Sequence, residues 1–281
     1  MTVEVMTHPE SEELWSGAGP TTARTNNQPP VSMIERMTLI LDAFDGSTPV
    51  LTLLGLAERT GLPRSTVHRI LDQMIRLRWL AHAPGGYRLG LRPFELGGLA
   101  ADHNEIRDVV SPLLHDLAQR TGMVGHLGVL DGREVLYLDK AGGRSTAGIP
   151  TRLGGRMPAH STGLGKALLA TLEPSIVEAS FRDRLPQLTP RTICDRTELH
   201  RELTRIRHRQ GVAVDNEESV TGIACVAVPI RGRGAAVGAL SLSGQIGADR
   251  PALDTARLAR VLVEVSHEAA RALFPRHARW R

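Results

Sequence analysis

Lysine is nearly missing from this chain: of its 34 lysine and arginine residues, only Lys140 and Lys166 are lysines. The bias points to a GC-rich genome that favours arginine codons, and a lysine kept against it is a candidate for a specific task. Cysteine is as scarce. Cys194 and Cys225 show no metal-type spacing and nothing that calls for an oxidising compartment. No apolar run approaches the ~20 residues of a membrane span. The first residues carry Glu4, Glu10, Glu12 and Glu13 without an apolar core, unlike a secretory signal. The expected location is the cytoplasm, with no membrane association.

Catalytic signatures are missing too. Gly165-Lys166 would need glycine at 160 and Ser or Thr at 167 to make a phosphate loop, and His160 and Ala167 stand there. No serine sits in G-x-S-x-G, and the 11 histidines include no H-E-x-x-H. His200 and His208 share one face of an arginine-rich helix, the pattern of a solvated surface. Asp215, Glu217 and Glu218 follow a strand, where carboxylates commonly close a turn or pair with a cation. Neither an enzyme, a metal site nor a cofactor is expected.

What is present is a patterned stretch from Leu51 to Gly90. Leu53, Leu56 and Ala57 form one helical face that stops at Thr60-Gly61, where glycine permits a sharp turn. Pro63 suits the start of a second helix reaching about Arg78. Its apolar stripe is Val67, Ile70, Leu71, Met74 and Leu77, and Arg64, Ser65, Thr66, His68 and Arg69 face outward. Ala83-Pro84-Gly85-Gly86 between short apolar runs reads as a hairpin. Upstream, Ser32 and Glu35 form a capping box opening a helix with Met37, Ile40, Leu41 and Phe44 on one side. Three helices and a hairpin make a winged helix-turn-helix, in which the second helix of the helix-turn-helix pair, here the one after Pro63, enters the major groove. A plain helical hairpin with a solvated face is the competing reading.

With 281 residues, 41% hydrophobic, the chain has material for two domains. Residues 1–30 read as a disordered tail, 31–91 as the winged domain, 92–104 as a connector helix, 105–275 as a second domain and 276–281 as a basic tail. Phe94, Leu96 and Leu99 give the connector its apolar pattern. Pro112 lies in the following helical pattern, as a kink or as its true start. From Val124 the period changes to two, and Asp131-Gly132 joins two strands. Helices are expected over 162–172, 175–182 and 197–210, strands over 212–215, 223–230 and 236–243, and a long helix after Pro251. Mixed hairpins and helices favour α+β with an antiparallel sheet.

Several of these segments together resemble the IclR family of bacterial transcriptional regulators. They are GLPRSTVHRIL, EVLYLDK, MPAHSTGLGKALLA, VAVDNEES, GIACVAVPI and GALSLSG, in that order, and the resemblance spans Val31 to Phe274. It implies a winged helix followed by a ligand-sensing domain of GAF/PAS-like fold, assembled as a homodimer or a tetramer on pseudo-palindromic operator DNA. On that reading Arg64, Ser65, Thr66, His68 and Arg69 contact DNA. Gly163, Leu164, Asp215, Cys225, Ser241 and Ser243 bind a small organic-acid effector. Gly163 departs from the alanine commoner in the family. A helix starting near Thr162 offers unpaired amides to an anion, and Ser241 and Ser243 share a strand face. The alternative is a small-molecule-binding or metabolic domain with an N-terminal dimerisation module, for which Cys225 is merely a small core residue and Lys166 merely a partner for a carboxylate.

Overall fold

The computed structural model describes residues 32–46, 48–142, 148–232, 236–247 and 253–275. The tails expected at 1–30 and 276–281 lie outside them. The chain divides into two compact units at His103 and Asn104.

In the first unit α1 (Met33–Asp42) opens on the Ser32–Glu35 capping box, with both reciprocal hydrogen bonds made. Helix α2 (Leu53–Thr60) is capped by the Thr52 hydroxyl and ends on Gly61 at φ 69°. Helix α3 (Arg64–Arg76) follows after Gly61, Leu62 and Pro63. Strands β1 (Leu80–Ala83) and β2 (Gly86–Leu89) form the wing, and Leu51 bridges to Tyr87 through two backbone hydrogen bonds. Gly86 is required there: a Cβ would lie 2.2 Å from the Leu51 carbonyl oxygen. Ile40, Leu56, Val67, Ile70, Leu71 and Met74 form the core.

Two details differ from the sequence reading. Leu77, placed in the α3 stripe, is 62% exposed. The helix has already ended, with Arg76 its last residue and Arg78 left-handed at φ 62°, so the helical period no longer applies at position 77. Pro63 is the cap, not the first helical residue. Helix α4 (Leu91–Asp102) has no buried residue. Its apolar pattern is real, yet Leu91, Phe94 and Leu99 are all more than half exposed.

The second unit is a six-stranded antiparallel sheet in the order β5-β4-β3-β8-β7-β6. The strands are β3 (Val124–Asp131), β4 (Glu134–Ala141), β5 (Arg156–Pro158), β6 (Ala213–Asn216), β7 (Ile223–Arg231) and β8 (Ala236–Gln245). Helices α5 (Glu105–Thr121) and α9 (Thr255–Leu273) cover one face, packing on Leu127, Val226, Val228, Leu240 and Leu242. The other face carries Tyr137, Cys225, Ala227 and Ala239 beneath α6 (Gly163–Leu169). Helices α7 (Pro174–Ser180) and α8 (Arg196–His208) complete that layer. Pro112 lies inside α5, which begins at Glu105 behind an Asn104 cap, so the proline does not mark its start. The three-residue edge strand β5 has no counterpart in the sequence pattern.

Candidate functional site

Two surfaces carry chemistry. On α3, Val67, Ile70 and Leu71 point into the core, which turns Arg64, Ser65, His68 and Arg69 to solvent and leaves Thr66 half-buried. The cap is Pro63, which offers no side-chain acceptor to the first-turn amides. Cationic, hydroxyl and amide donors therefore cluster at one helix end, which suits phosphate oxygens beside base edges. His68 is less free than its exposure implies, because its Nδ1 lies 3.4 Å from Asp72 one turn on.

The second site is a narrow cleft over the α6 face of the sheet, with a cavity volume of about 30 Å³. Gly163, Leu164, Asp215, Cys225, Ser241 and Ser243 all line it. Sheet register explains the convergence. Asp215 pairs with Cys225 and Cys225 with Ser243, making one cross-strand row over β6, β7 and β8. Ser241, two residues away on the same face, is opposite His126 of β3. Gly163 and Leu164 open α6 directly above β7; a Cβ on Gly163 would meet Cys225 Sγ at 2.9 Å.

His126 and Tyr137 are the residues that sequence reasoning missed. The His126 Nε2 is 2.7 Å from the Thr151 hydroxyl, and its Nδ1 is 3.5 Å from both Ser241 and Ser243 hydroxyls. The Tyr137 ring meets it edge-on. The available signal was the alternation of β3, but the neighbour of β3 is β8, more than a hundred residues on.

Burial sets the charge states. It drives His126 down to about 3, helped by nearby Lys140, so the imidazole is neutral. Burial also pushes the Cys225 thiol up to about 12, with Asp215 adding to it and the Ser243 and Ser241 hydroxyls opposing it. Tyr137 is raised by burial and then by Cys225 and Asp215. Asp215 is raised by burial, against the Ser219 hydroxyl and the Glu218 amide. Asp215 is already engaged: Oδ1 accepts from the Glu218 and Ser219 amides and Oδ2 from the Ser219 hydroxyl at 2.6 Å. It therefore closes the 215–219 turn as well as facing the cleft. Among the described residues, no lysine or arginine lines the cleft.

Known proteins share both units. The model of the IclR helix-turn-helix domain matches residues 33–84, and that of the bacterial transcriptional regulator IclR C-terminal matches residues 98–273. The transcriptional regulator XynR of Escherichia coli is 35% identical over 76% of this chain and 86% of its own length. The regulator BhcR of Paracoccus denitrificans is 34% identical over 76% and 77%. Among solved structures, an IclR homolog from Microbacterium hydrocarbonoxydans complexed with 4-hydroxybenzoate has a TM-score of 0.75 at 29% identity. It covers 86% of this chain and 99% of its own. With both domain models matched in order and relatives above 30% identity aligned over most of their length, the chain belongs to the IclR family of bacterial transcriptional regulators.

Proposed function

We propose that this DNA-binding regulator is controlled by a small organic acid held in the cleft of its C-terminal unit. The observation that carries the reading is the convergence of hydroxyl and neutral imidazole groups from β3, β4 and β8, and of the amides of a helix start, on one cleft. A carboxylate there would be held by the first α6 amides and by the Ser241 and Ser243 hydroxyls, the described lining residues including no lysine or arginine. The apolar remainder, with Ile149, Met157, Leu164 and Ile223, suits a carbon skeleton. A relative of the same fold holds 4-hydroxybenzoate, an acid of that kind. Asp215 would hold its turn, taking up a proton if a second carboxylate comes near, because two bare carboxylates repel.

Helix α3 reads the operator. Two copies bind a pseudo-palindrome as a dimer or a dimer of dimers, with the exposed apolar residues Ile34, Leu91, Phe94 and Leu99 as the contact between copies. Its place of work is the cytoplasm, where the chromosome lies. Effector control requires unequal affinity for DNA-competent and incompetent states, and a coupling of about 1–3 kcal/mol is typical. The α4 connector joins the two units and is the element that would carry it.

Arg69→Ala should weaken binding to all sequences, and Thr66→Ala should cost about 1–3 kcal/mol at particular operator positions. Footprints of the parent should span two half-sites, and normal affinity in both variants would remove α3 as the reading face. For the cleft, thermal-shift screening of carboxylic acids on the full chain should yield stabilising hits. Ser241→Ala/Ser243→Ala should then lose at least about tenfold in affinity, as two hydroxyls that donate to the carboxylate are removed. Hits confined to cations or to wholly apolar molecules, or an unaffected double variant, would eliminate the acid reading.

A further inference from the structure

The two lysines of this arginine-dominated chain both hold backbone in the walls of the cleft. Lys140 stands on β4 opposite His126 in the β3–β4 register. Its Nζ donates to the Ile149 carbonyl at 2.8 Å and to the Thr151 carbonyl at 2.7 Å. Ile149, Pro150 and Thr151 form one wall, and the Thr151 hydroxyl in turn meets His126 at 2.7 Å. Lys166 stands on α6 and is 1% exposed. Its Nζ donates to the Val214 carbonyl at 2.7 Å and to Glu218 Oε1 at 2.5 Å. The turn between those two acceptors supplies Asp215, and Ser219 and Val220 follow it into the wall.

We infer that Lys140 and Lys166 are positioning residues of the effector site, each ammonium fixing one of the two chain segments that wall the cleft. The inference rests on the reading of that cleft as the effector site. Lysine suits the task where arginine does not. An ammonium is a compact charge with three tetrahedral donors, able to draw together acceptors approaching from different directions. A guanidinium is a broad plane that favours two acceptors side by side, and the enclosed position of Lys166 leaves it no room. The charge of Lys166 also needs a buried counter-charge, which Glu218 supplies from the segment being held. The opposite end of that turn is tied down separately. The Thr192 hydroxyl donates to the Glu218 carbonyl and the Thr189 hydroxyl to the Glu217 carbonyl. The lysine therefore adds a side-chain tie to the Asp215 side of the turn, beside the β6–β7 pairing.

The full chain and its Lys140→Arg and Lys166→Arg variants test positioning with the charge kept: Lys140→Arg changes only the donor geometry, and Lys166→Arg adds bulk at an enclosed position. Hydrogen exchange followed by mass spectrometry should speed up at least about tenfold over residues 148–155 in Lys140→Arg and over 213–222 in Lys166→Arg, each locally, with β8 unchanged. Titration with 4-hydroxybenzoate, benzoate and pyruvate, in each variant, should show affinity for whichever acid the parent binds falling at least about tenfold. If Lys166→Arg does not fold, Glu218→Gln tests the same segment while keeping an acceptor for the ammonium. Unchanged exchange in the assigned segment overturns the loop-holding role, and unchanged affinity with faster exchange overturns positioning of the effector. Should the parent bind none of the three acids, the acid reading of the cleft falls, and the local exchange rates alone decide the role of the lysines.

Discussion

On moving from pH 7 to pH 5 the C-terminal unit should lose about 2 kcal/mol of stability through His126 alone. The imidazole is neutral in the fold, with its proton affinity lowered to about 3 by burial and by Lys140, against 6.5 when exposed. Below the unfolded value the open chain binds a proton that the folded chain refuses, so stability falls as pH falls. The loss begins near 6.5 and continues until the folded group itself titrates near 3. Asp215 and Glu218 act in the opposite direction, since burial raises both and the fold then binds their protons more tightly than the open chain. Their contribution grows as pH falls through the raised values and partly masks the histidine. His126→Gln removes the histidine alone and keeps a polar group near Thr151. Urea midpoints at both pH values, read by exchange labelling of the β8 peptide, follow this unit without interference from the other. The parent should lose about 2 kcal/mol more than the variant between pH 7 and pH 5. Equal losses would mean that His126 is charged or solvated in the fold.

The parts of the molecule legible in the sequence are those governed by local rules. The capping box at Ser32 and Glu35, the Gly61 turn and the outward residues of α3 follow from neighbours within one or two helical turns. Alternation likewise tells that Ser241 and Ser243 share a face. It cannot tell which strand lies next to β8. That β3 does, and that His126 thereby faces Ser241, depends on strand order, and no periodicity encodes it. Gly163, Leu164, Asp215 and Cys225 entered through family resemblance, and the sheet register supplies the physical reason they meet. The end of α3 was misjudged because the left-handed residue is Arg78, where no glycine advertises the stop. The apolar pattern of α4 was readable, but not that its apolar residues stand exposed in the folded chain. Lys166 shows the same limit: a carboxylate partner was foreseeable, whereas its identity as Glu218, 52 positions on, required the fold.

Gly165→Ala should destabilise the C-terminal unit by at least about 3 kcal/mol, at or beyond the upper end of overpacking costs. Two effects compete. Alanine is the better helix former by about 1 kcal/mol, so a glycine inside α6 looks like an opportunity to stabilise. Sterics decide otherwise: a Cβ at 165 would stand 2.2 Å from the Ala159 carbonyl oxygen and 2.3 Å from its Cα, both backbone atoms of the turn before α6. Neither can rotate away, and the helix is buried along its whole length. Gly163→Ala, two residues earlier, is the contrasting case. Its Cβ would meet the Cys225 Sγ at 2.9 Å, a side-chain atom that can be removed. That substitution should cost about 1–2 kcal/mol and be largely restored by Cys225→Ala, giving a coupling of about 1 kcal/mol in a double-mutant cycle. Gly165→Ala should gain nothing from Cys225→Ala. Melting temperatures of the three single variants, the two double variants and the parent distinguish the two cases. A stabilised Gly165→Ala would mean that α6 does not rest on the Ala159 backbone. Absence of coupling between 163 and 225 would remove the close approach of the α6 start to β7, on which the shape of the cleft depends.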